Sequence, residues 1–167
     1  MANKADFSRD EWGRVVASPM VAGTAITAAD PSGLWGLMKE GMAGGRALLE
    51  AKQSGNANPL AKAVAEDFVT GDARTLAHDH LQAIFKGAKA SDIKQRAVDE
   101  LRTVGSLVDA KAPADAPSFK GWLQQVAQKV AEAAPEGGFL GFGGVAVSEA
   151  ERATLTEIAS ALGTRSA

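Results

Sequence analysis

Residues 133–148 of the chain read AAPEGGFLGFGGVAVS, and this stretch limits how the rest of the sequence can fold. Five glycines surround Phe139, Leu140 and Phe142, and no charged residue follows Glu136 within the segment. Connecting segments on a protein surface are usually polar, because water solvates them. This apolar connection is therefore expected to pack against something, which is either the protein's own core or a partner.

Helical patterns flank the segment on both sides. The helix after it is predicted to begin with the capping box Ser148-Glu149-Ala150-Glu151, in which serine and glutamate satisfy free backbone amides. Gly163 stands where a left-handed residue ends a helix. The apolar residues that recur at helical spacing in the two flanking helices are Phe119, Trp122, Leu123, Val126, Val130, Leu155, Ile158 and Leu162.

Capping and breaking signals extend the same pattern toward the N-terminus. Ser8-Arg9-Asp10-Glu11 is another capping box and predicts the first helix. Pro19 lacks an amide hydrogen, so a kink or break is predicted there, with Ser18 capping the second part. Further helices are predicted over roughly 34–51 and after Asn58, Asp72 and Ser91.

The complete pattern predicts an all-α fold of about seven helices, since plausible strand residues occur only near 145–147. We expect one helical domain over residues 1–167, with residues 1–7 disordered. Residues 21–36 align without a gap to residues 126–141, with six identities. The similarity is either a true repeat of two helix-loop-helix units or chance in a chain rich in Ala and Gly. In a true repeat, Trp35 would share the face of Leu140.

Composition and charge exclude several classes of function. The net charge of −2 offers no basic surface for nucleic acid. The chain has no cysteine, which excludes disulfides and thiolate sites and fits a reducing compartment. The N-terminus lacks an apolar signal core, and no uncharged run approaches the ~18 residues that span a bilayer. We expect a cytoplasmic protein without a transmembrane segment.

The sequence offers little material for catalysis. Residues i and i+2 of a helix point in different directions, so His78 and His80 cannot serve one metal ion, and one is expected exposed and the other partly packed. The glycines of residues 138–144 lack the preceding strand and the Gly-Lys-Ser/Thr ending that phosphate loops require. No serine has a Gly-x-Ser-x-Gly context. We expect a protein that is not an enzyme.

Three short motifs resemble the TerB-like tellurite-resistance family. They are Val130-Ala131-Glu132-Ala133-Ala134, Val147-Ser148-Glu149-Ala150-Glu151 and Ile158-Ala159-Ser160-Ala161-Leu162-Gly163. The resemblance implies an all-helical fold in which acidic loop residues bind a divalent cation. The ligand candidates that it implies are Asp30, Glu40, Glu149 and Glu151. Glu149 and Glu151 also have a purely structural interpretation, because the helix dipole favours carboxylates at a helix N-terminus.

The sequence therefore predicts a non-enzymatic helical module for protein–protein interaction or self-association, with no cofactor. The partner-binding candidates are Trp35, Phe139, Leu140 and Phe142, because exposed apolar patches usually mark interaction sites. The same side chains would instead fill the core if the segment packs inward, and peripheral membrane contact is a further reading of an exposed segment. The alternatives for function are a TerB-like metal-binding stress-response protein and a carrier of small hydrophobic ligands.

Overall fold

The computed structural model describes residues 2–29, 59–70, 72–133 and 147–164. These ranges are helical and contain no strand, so the predicted all-α class is confirmed. The helix predicted over residues 34–51 lies outside the described residues. The α-helices are α1 (Arg9–Thr27), α2 (Pro59–Thr70), α3 (Asp72–Phe85), α4 (Ala90–Lys111), α5 (Ala116–Ala133) and α6 (Glu149–Leu162), and a 3-10 helix at Lys4–Asp6 precedes α1.

Helix α1 is the central element of the bundle. All of residues 15–19 are buried, and because these five positions cover more than one turn, every side of α1 is enclosed at its middle. Helices α3, α4 and α5 pack against it most extensively, and α2 and α6 complete its surroundings. A helix that is apolar on all sides is stable in this way only when other helices surround it.

Ion pairs fix the directions of the helices around α1. Lys111 Nζ, at the end of α4, lies 3.2 Å from Glu11 Oε2, near the start of α1. Arg14 Nε of α1 lies 3.2 Å from Glu100 Oε1, in the middle of α4. Moving forward along α1 therefore means moving backward along α4, and the two helices are antiparallel.

Helix α5 runs parallel to α1. At one end, the Ala2 amide donates a hydrogen bond to Asp115 Oδ2, just before α5. At the other end, a Cβ placed on Gly23 would lie 3.6 Å from Val130 Cγ2. Both contacts join positions at matching depth, so α1 and α5 finish at the same end of the bundle.

Helix α6 runs in the opposite direction, parallel to α4. Lys94 Nζ lies 2.9 Å from Glu157 Oε1, and further along both helices a Cβ on Gly105 would lie 3.4 Å from Leu162 Cα. Helix α6 therefore begins at the end where α1 and α5 finish. We call this end, defined by Thr27, Ala133 and Glu149, the exit end.

The sequence predicted a kink or a break at Pro19. A break is wrong, because α1 continues through the proline as one helix. Proline has no amide hydrogen, so the carbonyl of Val15 loses its normal partner. The buried hydroxyl of Ser18 donates to that carbonyl instead, with an O···O distance of 2.7 Å. A serine predicted as a new cap thus serves to keep the helix continuous.

Two further local features differ in kind from the simple helical pattern. The sequence predicts disorder over residues 1–7, and in the structure Asn3 and Asp6 cap a 3-10 helix reciprocally while Phe7 is buried against Trp12. Ser91 was expected to cap α4, yet the helix already begins at Ala90. Helix α4 begins earlier because Lys89 is its N-cap, with the Lys89 amide 3.4 Å from Asp92 Oδ2.

Both predicted capping boxes are confirmed. Ser8 and Glu11 exchange hydrogen bonds at the start of α1, and Ser148 and Glu151 do so at the start of α6. The hydrogen bond from the Ser8 amide, with Lys111 nearby, lowers the pKa of Glu11 below its usual value. Gly163 ends α6 in the left-handed conformation with φ 68°, as predicted.

Candidate functional site

Most of the predicted site residues lie outside the described part of the chain. The partner-binding candidates Trp35, Phe139, Leu140 and Phe142 and the metal candidates Asp30 and Glu40 all fall in residues 30–58 or 134–146. Their predicted roles stay predictions. The described residues fix where the helices before and after these segments lie.

Glu149 and Glu151 share the first turn of α6 but differ in environment. Glu149 is exposed, whereas only 3% of Glu151 is accessible to solvent. Glu151 Oε2 accepts hydrogen bonds from the Ser148 amide at 2.9 Å and from the Ser148 hydroxyl at 3.1 Å. This oxygen is thus engaged in the capping box, which supports the structural interpretation of Glu151.

No metal-binding cluster brings these carboxylates together within ranges 2–29, 59–70, 72–133 and 147–164. In those ranges no group of three or more His, Asp or Glu side chains could hold an ion. The metal candidates Asp30 and Glu40 are not among the residues searched. Cation binding through these acids stays an expectation from the family resemblance.

The exit end brings together features that are far apart in the sequence. Helices α1 and α5 both finish here, and α6 starts here with its exposed Glu149. Ile26 is buried near the end of α1. Val130 and Val147, which stand before and after residues 134–146 in the chain, are also buried. The described helices therefore provide an apolar base at the end of the bundle from which residues 30–58 and 134–146 both continue.

A polar cluster that the sequence did not predict joins three helices. Glu100 Oε1 on α4 lies 3.2 Å from Arg14 Nε on α1 and 2.8 Å from His80 Nε2 on α3. Only 10% of the Glu100 side chain and 17% of the His80 side chain are exposed. His78 is largely exposed, so the expectation of one exposed and one partly packed histidine is confirmed.

A small cleft of about 220 Å³ opens at the other end of the bundle, which we call the arm end because residues 2–7 lie there. Phe7, Trp12 and Leu76 provide its apolar lining, and Lys4 and Arg9 its positive charges. Beside it, Asp67 of α2 accepts a hydrogen bond from Trp12 Nε1 at 2.6 Å. The residues are 55 positions apart, so no local pattern could have predicted this contact.

Comparisons of this chain with family models, curated proteins and solved structures find no match. The resemblance to the TerB-like family accordingly stays a prediction based on the three motifs. Among the described residues, no helix is both long enough and apolar enough to cross a membrane.

Proposed function

We propose that this protein is a non-enzymatic helical module that binds a protein partner, or a second copy of itself, at the exit end. The proposed contact residues are Trp35, Phe139, Leu140 and Phe142, in the two segments that continue from α1 and α5. The observation that carries the proposal is the parallel arrangement of α1 and α5. Because of it, the two segments that carry these apolar side chains begin at one end of the bundle.

The chemistry of the two segments supports association. Residues 133–148 combine large apolar side chains with five glycines, a composition that adapts to a partner surface and buries substantial apolar area on contact. Trp35 adds a large aromatic side chain in the segment after α1. Aromatic residues are enriched among the side chains that dominate binding energy at protein interfaces.

The bundle beneath the segments is suited to a presenting role. Helix α1 is enclosed on all sides, and Val130 and Ile26 anchor the last turns of the helices that lead to the exit end. A rigid base lowers the entropic cost of binding, because the base itself does not have to become ordered when a partner binds. The function proposed therefore divides the molecule into a scaffold and a contact surface.

Light scattering with the double substitution Phe139→Ser and Phe142→Ser tests the proposal. We expect the parent protein to associate as its concentration rises and the variant to remain monomeric, with the same helical circular dichroism. A variant that loses its helicity would show that both rings belong to the core. A parent that remains monomeric at every concentration would remove self-association and leave only a different protein as partner.

Val69→Ser provides a matched control. Val69 is an exposed apolar residue, with 54% of its surface accessible, and it lies two residues after Asp67, toward the arm end. The substitution removes a similar apolar side chain from the opposite end of the bundle. Association should be unchanged in this variant, whereas an equal loss would contradict a specific role for the exit end.

A further inference from the structure

Asp67 connects three parts of the chain at the arm end. Its Oδ2 accepts a hydrogen bond from the indole of Trp12 on α1 at 2.6 Å and lies 3.1 Å from Lys4 Nζ. Trp12 is 1% exposed and the Asp67 side chain 17% exposed, so the carboxylate is largely shielded from water. A hydrogen bond to an ionised group in such surroundings is stronger than a neutral one.

The apolar contact between α2 and the rest of the bundle involves few large side chains. The buried residues of α2 are Leu60, Ala61, Val64 and Ala65, half of them alanines, and Phe68 packs against the core while only partly buried. Hydrophobic stabilisation scales with the apolar area buried, and alanine contributes little of it. The polar bridge at Asp67 therefore supplements a modest apolar contact.

The contacts of α2 are also unevenly distributed. It packs mainly against its neighbour α3 and only slightly against α1 and α5. Arg74 at the start of α3 donates to the carbonyl of Phe68 at 2.9 Å, which ties the end of α2 to that neighbour. Among the described residues, the bridge from Asp67 to Trp12 is thus a polar attachment of α2 to the central helix, beside the apolar contacts of Leu60 and Val64.

We infer that Asp67 is a clasp that keeps α2 docked on the central helix, and that α2 is the first helix to detach from the bundle. Regions with few buried apolar contacts open at a lower free energy than the global unfolding of a protein. Detachment of α2 uncovers an apolar groove that α2 itself occupies in this structure. The clasp lies at the arm end, so its test does not depend on partner binding at the exit end.

Native-state hydrogen exchange of the full chain, read by mass spectrometry, tests the clasp. In Asp67→Ala the buried indole loses its acceptor, and we expect amides of residues 59–70 to exchange about ten- to hundred-fold faster. In the parent protein, amides of residues 59–70 should already exchange faster than those buried in α4 and α5, because α2 opens at a lower free energy than the rest of the bundle. Equal opening free energies for all helices in the parent would overturn the early detachment of α2, and no acceleration of α2 in Asp67→Ala would overturn the clasp.

Two more variants sharpen the test. Glu66 is adjacent to Asp67, and its exposed carboxylate oxygen Oε1 lies 3.8 Å from Lys62 Nζ of the same helix. Glu66→Ala should therefore leave exchange in α2 unaltered. Lys4→Met removes only the surface half of the bridge, since 49% of that side chain is exposed. It should accelerate the same amides measurably but by less than about five-fold, and the absence of any acceleration would overturn the clasp even if Asp67→Ala fails to fold.

Discussion

The hydroxyl of Ser18 donates to the carbonyl of Val15, whose usual donor is absent because residue 19 is proline. An unpaired carbonyl inside a protein costs the free energy of removing it from water, and Val15 is completely buried. The Ser18-Pro19 pair is therefore a local unit in which one residue compensates for the other. Continuity of the central helix depends on it.

We expect Ser18→Ala to lower the free energy of unfolding by about 1–3 kcal/mol, because it leaves the Val15 carbonyl without a donor. Urea denaturation of parent and variant measures the difference. Ser106→Ala is the control, since Ser106 also bonds to a carbonyl of its own helix but is exposed. Adding Pro19→Ala should remove most of the loss, and a loss that persists would argue against the proposed pairing.

Single residues also show what could be read from the sequence. The boxes at Ser8 and Ser148 and the helix end at Gly163 were predicted correctly, because each depends on groups within four residues. Local patterns also predicted a break at Pro19. The break does not occur, and the hydroxyl of the adjacent Ser18 donates to the Val15 carbonyl that the proline leaves without a donor. The Trp12–Asp67 hydrogen bond could not be predicted, because it requires knowing how α1 and α2 pack.

Gly105 and Gly121 show how helix packing decides whether a side chain can be added at a glycine. Gly105 faces the backbone of α6, where a Cβ would already lie 3.4 Å from Leu162 Cα and 3.5 Å from the Ala161 carbonyl oxygen. Gly121 on α5 has no atom within 4 Å of the corresponding position. The first glycine permits close approach of two helices, and the second only weakens its own helix.

We expect Gly105→Leu to lower the free energy of unfolding by about 1–3 kcal/mol, because the added side chain forces α4 and α6 apart. Gly121→Ala should instead stabilise the protein by about 0.5–1 kcal/mol through higher helix propensity. Thermal unfolding followed by circular dichroism gives both values. Destabilisation by Gly121→Ala would mean that α5 has neighbours at that position.

At the scale of elements, the sequence predicted the existence of the described helices better than their arrangement. Capping residues and apolar periodicity act within one helix, so α1 to α6 could each be recognised. The parallel direction of α1 and α5 depends on contacts such as Gly23 with Val130, which no local pattern encodes. The exit end therefore emerged only from the structure, while its proposed contact residues came only from the sequence.

The cluster of Arg14, His80 and Glu100 acts at the scale of the whole molecule, because it joins α1, α3 and α4 through one carboxylate. Removing this acceptor leaves two polar groups in largely buried surroundings without their partner. We expect Glu100→Ala to cost about 1.5–3 kcal/mol of unfolding free energy, measured by urea denaturation.

Asp99→Ala is the appropriate comparison for that prediction. Asp99 is the neighbour of Glu100 on α4 and pairs with Arg102, but both side chains are more than half exposed. Exposed ion pairs contribute little to stability, so the change should stay within about 1 kcal/mol. Similar losses in the two variants would show that the cluster has no special role in joining the three helices.

The enclosed position of α1 has a consequence for the order of events on the ribosome. The helix that the others surround is synthesised before the other described α-helices, and α5, the last of its three most extensive neighbours, begins roughly ninety residues after α1 ends. At ordinary translation rates its apolar sides stay uncovered for on the order of ten seconds. We expect the nascent chain to depend on a holding chaperone during that interval, long before the native protein would aggregate.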